Sequence, residues 1–254
     1  MFKQEYGLVC TAAKKKVKFY DVDKAGYFVS SMLAGIFVGL GIIVIYVIAA
    51  AMGGSPSLKI LQGASFAAVL SLIVFAGAEL FTGNVFVQTA GFMRKTVKFS
   101  DAVPIIVFCY IGNFVGSILI VTLFIGTGLF TSEMSALTDY AIISKTSPSF
   151  ANLFIRGILC NILVCSATWC TYKIQSDTGK LVMIFWCIYI FVISGFEHSI
   201  ANMSLFTLRA LVWSDGGATM GAMAHNLAAT SLGNFVGGVM LALTYWAMGR
   251  KDQG

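Results

Sequence analysis

Of 254 residues, 58% are apolar and only 11% are charged, and the mean hydropathy is +0.86, whereas about 25% of residues in soluble domains are charged. That composition excludes a soluble globule. The net charge of +6 on so apolar a chain marks loops on one face of a membrane and not affinity for nucleic acid.

In chain order, residues 1–24 form a lysine-bearing segment with no apolar stretch of the length or ending of a cleaved signal peptide, so the first span is retained. Order is expected beyond the first twenty or so residues. The lysines at Lys14 to Lys18 leave three readings open: a cytoplasmic gate, a lipid-binding basic helix, or a topology signal. A bilayer core of about 30 Å needs about 20 apolar residues per helix. Six runs qualify, at about 27–52, 60–93, 102–128, 150–172, 180–209 and 217–248. Cys109, Cys160, Cys165, Cys170 and Cys187 lie inside these runs and read as small buried hydrophobes. With no CxxC pair and two histidines, no metal site or other cofactor is expected. Trp169, Trp213 and Trp246 are assigned to the interfacial aromatic belt. Lys and Arg concentrate on the side of the N-terminus, with Lys59, Lys145, Arg156 and Arg209 opposite, which sets both termini in the cytoplasm of a multi-pass plasma-membrane protein.

The runs repeat. Gly112-Asn113-Phe114-Val115-Gly116 returns about 120 residues later as Gly233-Asn234-Phe235-Val236-Gly237. The pattern G-x-E-x-x-x-x-N occurs at Gly77–Asn84 and again at Gly195–Asn202. Gly35 and Gly39 have weaker counterparts in Gly157 and Asn161. Three spans repeated as three spans enter from opposite faces, giving two inverted three-helix repeats (about 25–130 and 148–250) in one all-α integral membrane domain, the architecture of a transporter or channel. An unbroken helix over 60–93 would run about 51 Å at 1.5 Å per residue, so the second and fifth helices are expected to break near Glu79–Asn84 and Glu197–Asn202. The glycines of both GNFVG copies read as close-packing residues.

Glu79 and Glu197 are the acids at membrane depth and occupy the same repeat position. They are expected to accept hydrogen bonds from backbone amides freed at the breaks. His198 has no symmetric equivalent, since Leu80 stands in its place, and an imidazole beside a break suits gating or proton handling. Thr82 supplies a hydroxyl from the other half. Asn161 and Asn226 either orient the imidazole or simply bond between helices. His225 is interfacial. Lys145 precedes the fourth span; on spacing alone it is a surface lysine, although a cation at a pore mouth would concentrate anions.

The segments G-F-E-H-S-I-A-N-M at 195–203, G-A-E-L-F-T-G-N at 77–84, R-G-I-L-C-N-I-L-V-C at 156–165 and N-L-x-x-T-x-G-N-F-V-G-G from Asn226 resemble the formate/nitrite transporter family, from Gly35 to Trp246. The whole chain looks closest to its clostridial hydrosulfide branch. The resemblance implies an aquaporin-like fold of six helices and a homopentamer with one pore per protomer. It also implies a channel, not an enzyme, for small monovalent anions such as hydrosulfide, formate, nitrite and chloride. It places His198, Thr82, Asn161 and Asn226 at the pore centre, Leu80, Phe81 and Val164 at an inner constriction, and Phe66, Phe191 and Ala201 at an outer one. It makes Lys145 the vestibule residue that attracts anions. A proton-coupled formate or nitrite carrier is the alternative. An aquaporin-like pore for neutral solutes lacks the Asn-Pro-Ala pair, and a membrane enzyme lacks a second histidine at HExxH spacing.

Overall fold

The computed structural model describes residues 2–212 and 218–250, within which the regular structure is all helical. The helices are α1 (Lys3–Val22), α2 (Lys24–Met52), α3 (Leu58–Ala76), α4 (Phe81–Met93), α5 (Phe99–Gly126), α6 (Ser132–Thr146), α7 (Phe150–Lys173), α8 (Asp177–Ile193), α9 (Ser199–Leu211) and α10 (Met220–Arg250). Among the described residues, α2, α3, α5, α7 and α10 are long and apolar enough to cross a bilayer, so five helices meet that condition where six runs were expected. The run at 60–93 holds two helices, α3 and α4, and the run at 180–209 holds α8 and α9. At 17 residues α8 is shorter than a full crossing. Trp213 and Lys251 lie outside the described residues.

Two helix pairs form the frame, α2 along α5 and α7 along α10. Both are drawn together by glycine. A side-chain carbon at Gly35 would overlap the Asn113 carbonyl, and one at Gly116 the Met32 carbonyl. In the other pair, Gly233 faces the Phe154 carbonyl and Gly237 the Ile158 carbonyl in the same way. Backbone at that distance leaves no room for a methyl group, so these glycines set the helix separation. Into the frame are packed α3 against α8 and the short helices α4 and α9.

Two helices lie outside the expected spans. In α1, Tyr6, Val9, Cys10 and Ala13 recur at i, i+3, i+4 and i+7, and all four are buried. They form a second core with Phe86, Val87 and Ala90 of α4 and with Cys165 and Trp169 of α7. The segment expected to be loose is therefore a docked helix. Trp169 corrects its assignment to the aromatic belt, because it is 2% exposed and stacks on Tyr245 at 3.9 Å beneath α1. α6 starts on a Thr131 cap that accepts from the Met134 amide, and it carries Lys145 in its last turn.

Candidate functional site

α3 and α8 end in the same manner. Each is followed by a glycine in the left-handed region, Gly77 at φ 78° and Gly195 at φ 70°, which reverses the chain where a side chain would be strained. A short extended stretch follows, and α4 and α9 then restart at Phe81 and Ser199. One asparagine holds each interval. Asn113 accepts from the Phe81 amide at 2.9 Å and donates to the carbonyls of Ser31 (2.7 Å) and Glu79 (2.9 Å). Asn234 accepts from the Ser199 amide and donates to the carbonyls of Gly157 and Glu197, each at 2.9 Å. A neutral amide can do this because it carries both an acceptor and two donors. These asparagines stand inside the GNFVG motifs, whose signal had been read for its glycines alone.

The two carboxylates do not bind freed backbone amides as expected. Glu197 takes both oxygens to Lys145 Nζ, at 2.9 and 3.0 Å, and accepts from Asn202 Nδ2 at 2.7 Å. Glu79 accepts from Lys16 Nζ, from Asn84 Nδ2 at 2.9 Å and from the Tyr27 hydroxyl at 3.3 Å. The physical reason is charge: a carboxylate shielded from water needs a cation more than it needs a neutral donor. Each G-x-E-x-x-x-x-N motif thus closes on itself through its asparagine and is completed by a lysine from a helix outside the spans. Lys16 is the site residue that the sequence reading left unassigned. Burial pushes its ammonium down, but the Glu79 carboxylate more than offsets this by charge and hydrogen bond, so Lys16 lies above the usual lysine value. Lys145, expected as a bare vestibule cation, is neutralised by Glu197. Of its three N–H donors the carboxylate takes two.

His198 occupies the N-cap of α9, where its side chain accepts from the Ala201 amide at 3.3 Å through Nδ1. An accepting Nδ1 leaves the proton of the neutral ring on Nε2. Nε2 lies 3.4 Å from Thr82 Oγ1, and the ring stacks on Phe191 at 6.0 Å. The equivalent cap of α4 is Leu80, which makes no side-chain cap bond.

Two cavities meet at Leu80. One, of about 330 Å³, opens on the α1 side between Lys16, Glu79, Asn84 and Tyr172. The other is an apolar gap of about 20 Å³ lined by Phe66, Leu80, Val164, Phe191 and His198. Leu80, Leu70 and Ile73 border both. The geometry therefore brings together Thr82, His198, Leu80, Val164, Phe66 and Phe191. It sets Phe81 elsewhere: its ring packs edge-on against Tyr110 at 4.8 Å and faces the outer groove between α5 and α10, because it is the first residue of α4 and its amide is tied to Asn113. Ala201 meets His198 through its backbone amide. Neither Asn161 nor Asn226 hydrogen-bonds the imidazole among the described residues. Asn161 Nδ2 donates to the carbonyls of Thr82 (3.3 Å) and Asn234, and Asn226 joins Asn202 to the Lys145 carbonyl. Both amides support the neighbours of His198, since its Nδ1 is already engaged.

A helical frame with apolar spans and paired interrupted segments, in which one cavity adjoins an apolar gap lined by an imidazole, is that of a multi-pass membrane protein of the transporter and channel class. The family model described as Formate/nitrite transporter matches residues 3–247. The chain belongs to the formate/nitrite transporter family, whose matched relatives are transporters and channels, not enzymes. It is 37% identical over 257 residues to the nitrite transporter NirC of Salmonella typhimurium, covering 100% of this chain and 94% of that protein. It is 32% identical to a probable formate transporter of Methanothermobacter thermautotrophicus, covering 86% of each. Among solved structures, an FNT family ion channel superposes with a TM-score of 0.92 at 32% identity, covering 97% of this chain and 99% of the other. A pentameric formate channel with formate bound gives 0.76 at 28% identity, covering 88% and 96%.

Proposed function

We propose that the chain is a plasma-membrane channel for small monovalent anions of weak acids. Nitrite is the first substrate to test and formate follows, chloride is the strong-acid comparison that cannot cross protonated, and hydrosulfide is the second reading, carried by the clostridial resemblance. The relative named as a nitrite transporter supports this order, and none of the neighbours described above names hydrosulfide. A homopentamer with one pore per subunit is proposed on the likeness to the pentameric formate channel. The repeated Asn113 and Asn234 bonding supports one channel domain of two inverted three-span repeats with interrupted second and fifth helices, and the lysine-rich side supports termini in the cytoplasm.

The observation that carries this reading is a donor-bearing midpoint, His198 Nε2 beside Thr82 Oγ1, reached through an apolar gap and flanked by two Lys–Glu pairs. A bare anion loses its hydration in such a gap at a cost the neutral acid does not meet. The lysines, each charge-paired but with N–H capacity left, offer the anion hydrogen bonds at the mouths. Desolvation raises its pKa, and it crosses as the neutral acid or while hydrogen-bonded to His198 and Thr82. Leu80 and Val164 on one side, and Phe66 and Phe191 on the other, keep the stretch dry. Asn161 and Asn226 hold the surrounding backbone.

The test is parallel uptake of nitrite, formate, hydrosulfide and chloride into proteoliposomes at several pH values, with His198→Asn as the comparison. Weak-acid anion flux that rises at low pH and loses that dependence in the variant is the expected result. Unchanged flux and pH profile in His198→Asn refutes the role of the imidazole. Equal flux of a neutral solute at every pH, with no anion flux, refutes the channel reading.

A further inference from the structure

A second polar cavity, of about 290 Å³, lies away from the pore on the outer face of α1, between that helix and the turn that follows α4. Its charged lining is wholly basic among the described residues: Lys3, Lys14 and Arg94, with Tyr6, Thr11 and Thr96 between them. Lysines along an amphipathic helix commonly face solvent and bind nothing. Three features set this group apart.

The first is concavity. The cavity is floored in part by Gly7, whose missing side chain leaves open space on that face of α1. The second is Arg94 itself, which is held in place yet only partly used. The Tyr6 ring lies 5.4 Å from the guanidinium carbon, and Nη2 donates to the Gly249 carbonyl at 3.4 Å, while the buried Nε has no partner. A guanidinium carries five donors in a planar fork that matches phosphate oxygens in pairs. The third is what surrounds the cavity. Leu8, which follows the lining residue Gly7, and Phe92, two residues before Arg94, are each 44% exposed, so the chain beside the lining residues carries apolar surface. A basic cavity on a helix packed against a membrane-spanning bundle, with exposed apolar residues next to its lining residues in the chain, suits a molecule with an anionic head and a greasy body.

We propose that Lys14 and Arg94, with Lys3 on the rim, form a binding site for a phosphate group, supplied by the headgroup of an anionic phospholipid in the leaflet on the α1 side. Occupancy ties α1 to the end of α4. Because α1 also carries Lys16 at the pore-side cavity, the lipid fixes that helix at the mouth. The site is independent of which anion the pore passes.

The experiment uses the full-length purified oligomer. Short-chain phosphatidylglycerol, short-chain phosphatidylcholine and inorganic phosphate are titrated separately and bound molecules are counted by native mass spectrometry. The variants are Lys14→Gln with Arg94→Gln, Arg94→Lys, and Lys98→Gln, which removes a nearby charge outside the cavity. Far-ultraviolet circular dichroism and oligomer size establish that each variant is folded. Phosphatidylglycerol is expected to bind in preference to phosphatidylcholine, with affinity falling about tenfold or more in the double variant, partly in Arg94→Lys, and not in Lys98→Gln, since the lost contacts are charge-assisted hydrogen bonds. Inorganic phosphate weakened by the double variant, with no preference between the lipids, keeps the site but assigns it to a soluble phosphate. Equal retention of both lipids without phosphate binding overturns the proposal, as does an equal loss in Lys98→Gln, which would indicate diffuse surface charge.

Discussion

Asn234, like its counterpart Asn113, should be costly to remove from the pore scaffold. Its amide closes three hydrogen bonds at 2.9 Å, to the Ser199 amide and to the carbonyls of Gly157 and Glu197, and the residue is 0% exposed. Substitution by alanine removes one partner from each bond and leaves the Ser199 amide and the Glu197 carbonyl without one, while the Gly157 carbonyl keeps its bond within α7. Each such loss costs about 1–3 kcal/mol in a soluble protein. Helix contacts inside a bilayer average nearer 0.6 kcal/mol each, because the separated helices also find partners. Three bonds at the membrane figure and two orphaned groups at the soluble one bracket the loss in Asn234→Ala between about 2 and about 6 kcal/mol. Asn234→Asp sharpens the test. The carboxylate still accepts from Ser199 but donates to neither carbonyl and instead faces two oxygens, so it should be worse than alanine. Reversible unfolding in mixed micelles of increasing sodium dodecyl sulfate measures both, and proteoliposome flux reports whether the His198 loop survives. A loss below about 0.5 kcal/mol in Asn234→Ala, or aspartate tolerated better than alanine, refutes the clamp.

The remaining expectations use the same assays. Gly116→Ala forces a methyl group against the Met32 carbonyl, and since backbone cannot turn aside it should cost about 1–3 kcal/mol by separating α2 from α5. Gly126→Ala, with open space around it, serves as its neutral comparison in the same micelle titration. The Lys16 pair should hold α1 across the physiological range. Its pKa lies above the ordinary lysine value, so the contribution is complete below that value and fades only as pH rises through the elevated one. The protection factor of the α1 amides, their exchange rate referred to the intrinsic rate at each pH, should therefore be flat from about pH 6 to about pH 9, and Lys16→Gln should lower it throughout; a fall in protection between those limits contradicts the assignment. Burial pushes the Cys10 thiol up, against the Thr96 hydrogen bond and the charges of Arg94 and Lys14, so maleimide labelling of Cys10 at neutral pH should be slow and should accelerate in Tyr6→Ala, which opens the packing beneath it.

Legibility differed by the range of the interaction. α2, α5, α7 and α10 announce themselves as apolar runs, because lipid exposure is a local property of about 20 consecutive residues. The paired E-x-x-x-x-N motifs were readable for a similar reason: Glu79 bonds Asn84, and Glu197 bonds Asn202, only five residues on. What completes them was not. Lys16 reaches Glu79 across 63 residues and Lys145 reaches Glu197 across 52, and nothing in a linear run distinguishes those lysines from their neighbours. α1 is a different case. The stripe Tyr6, Val9, Cys10, Ala13 was present at helical spacing, but the lysines between drew the reading toward topology and disorder. Phe81 shows the limit most clearly, since the restart of α4 turns its ring toward Tyr110 while Leu80, one residue earlier, borders the gap.

The two interrupted segments share a clamp, a carboxylate, an asparagine and a lysine, and they differ at one cap. At α4 that position is Leu80, an apolar side chain between the larger cavity and the narrow gap. At α9 it is His198, whose Nδ1 replaces the missing helix hydrogen bond by accepting from Ala201. The cap bond is what gives the proposed role its direction. A ring free to rotate could present either nitrogen, but a ring that caps its own helix is left with Nε2–H aimed at Thr82. The clamp residue Asn234 holds the Ser199 amide next to that cap, and Asn161 holds the Thr82 carbonyl opposite, so donor and hydroxyl are each anchored through the backbone beside them. Positioning of this kind costs no reorganisation when an anion arrives. The same reasoning explains why the scaffold asparagines, which touch neither the gap nor the ring, should govern flux as strongly as the residues that line it.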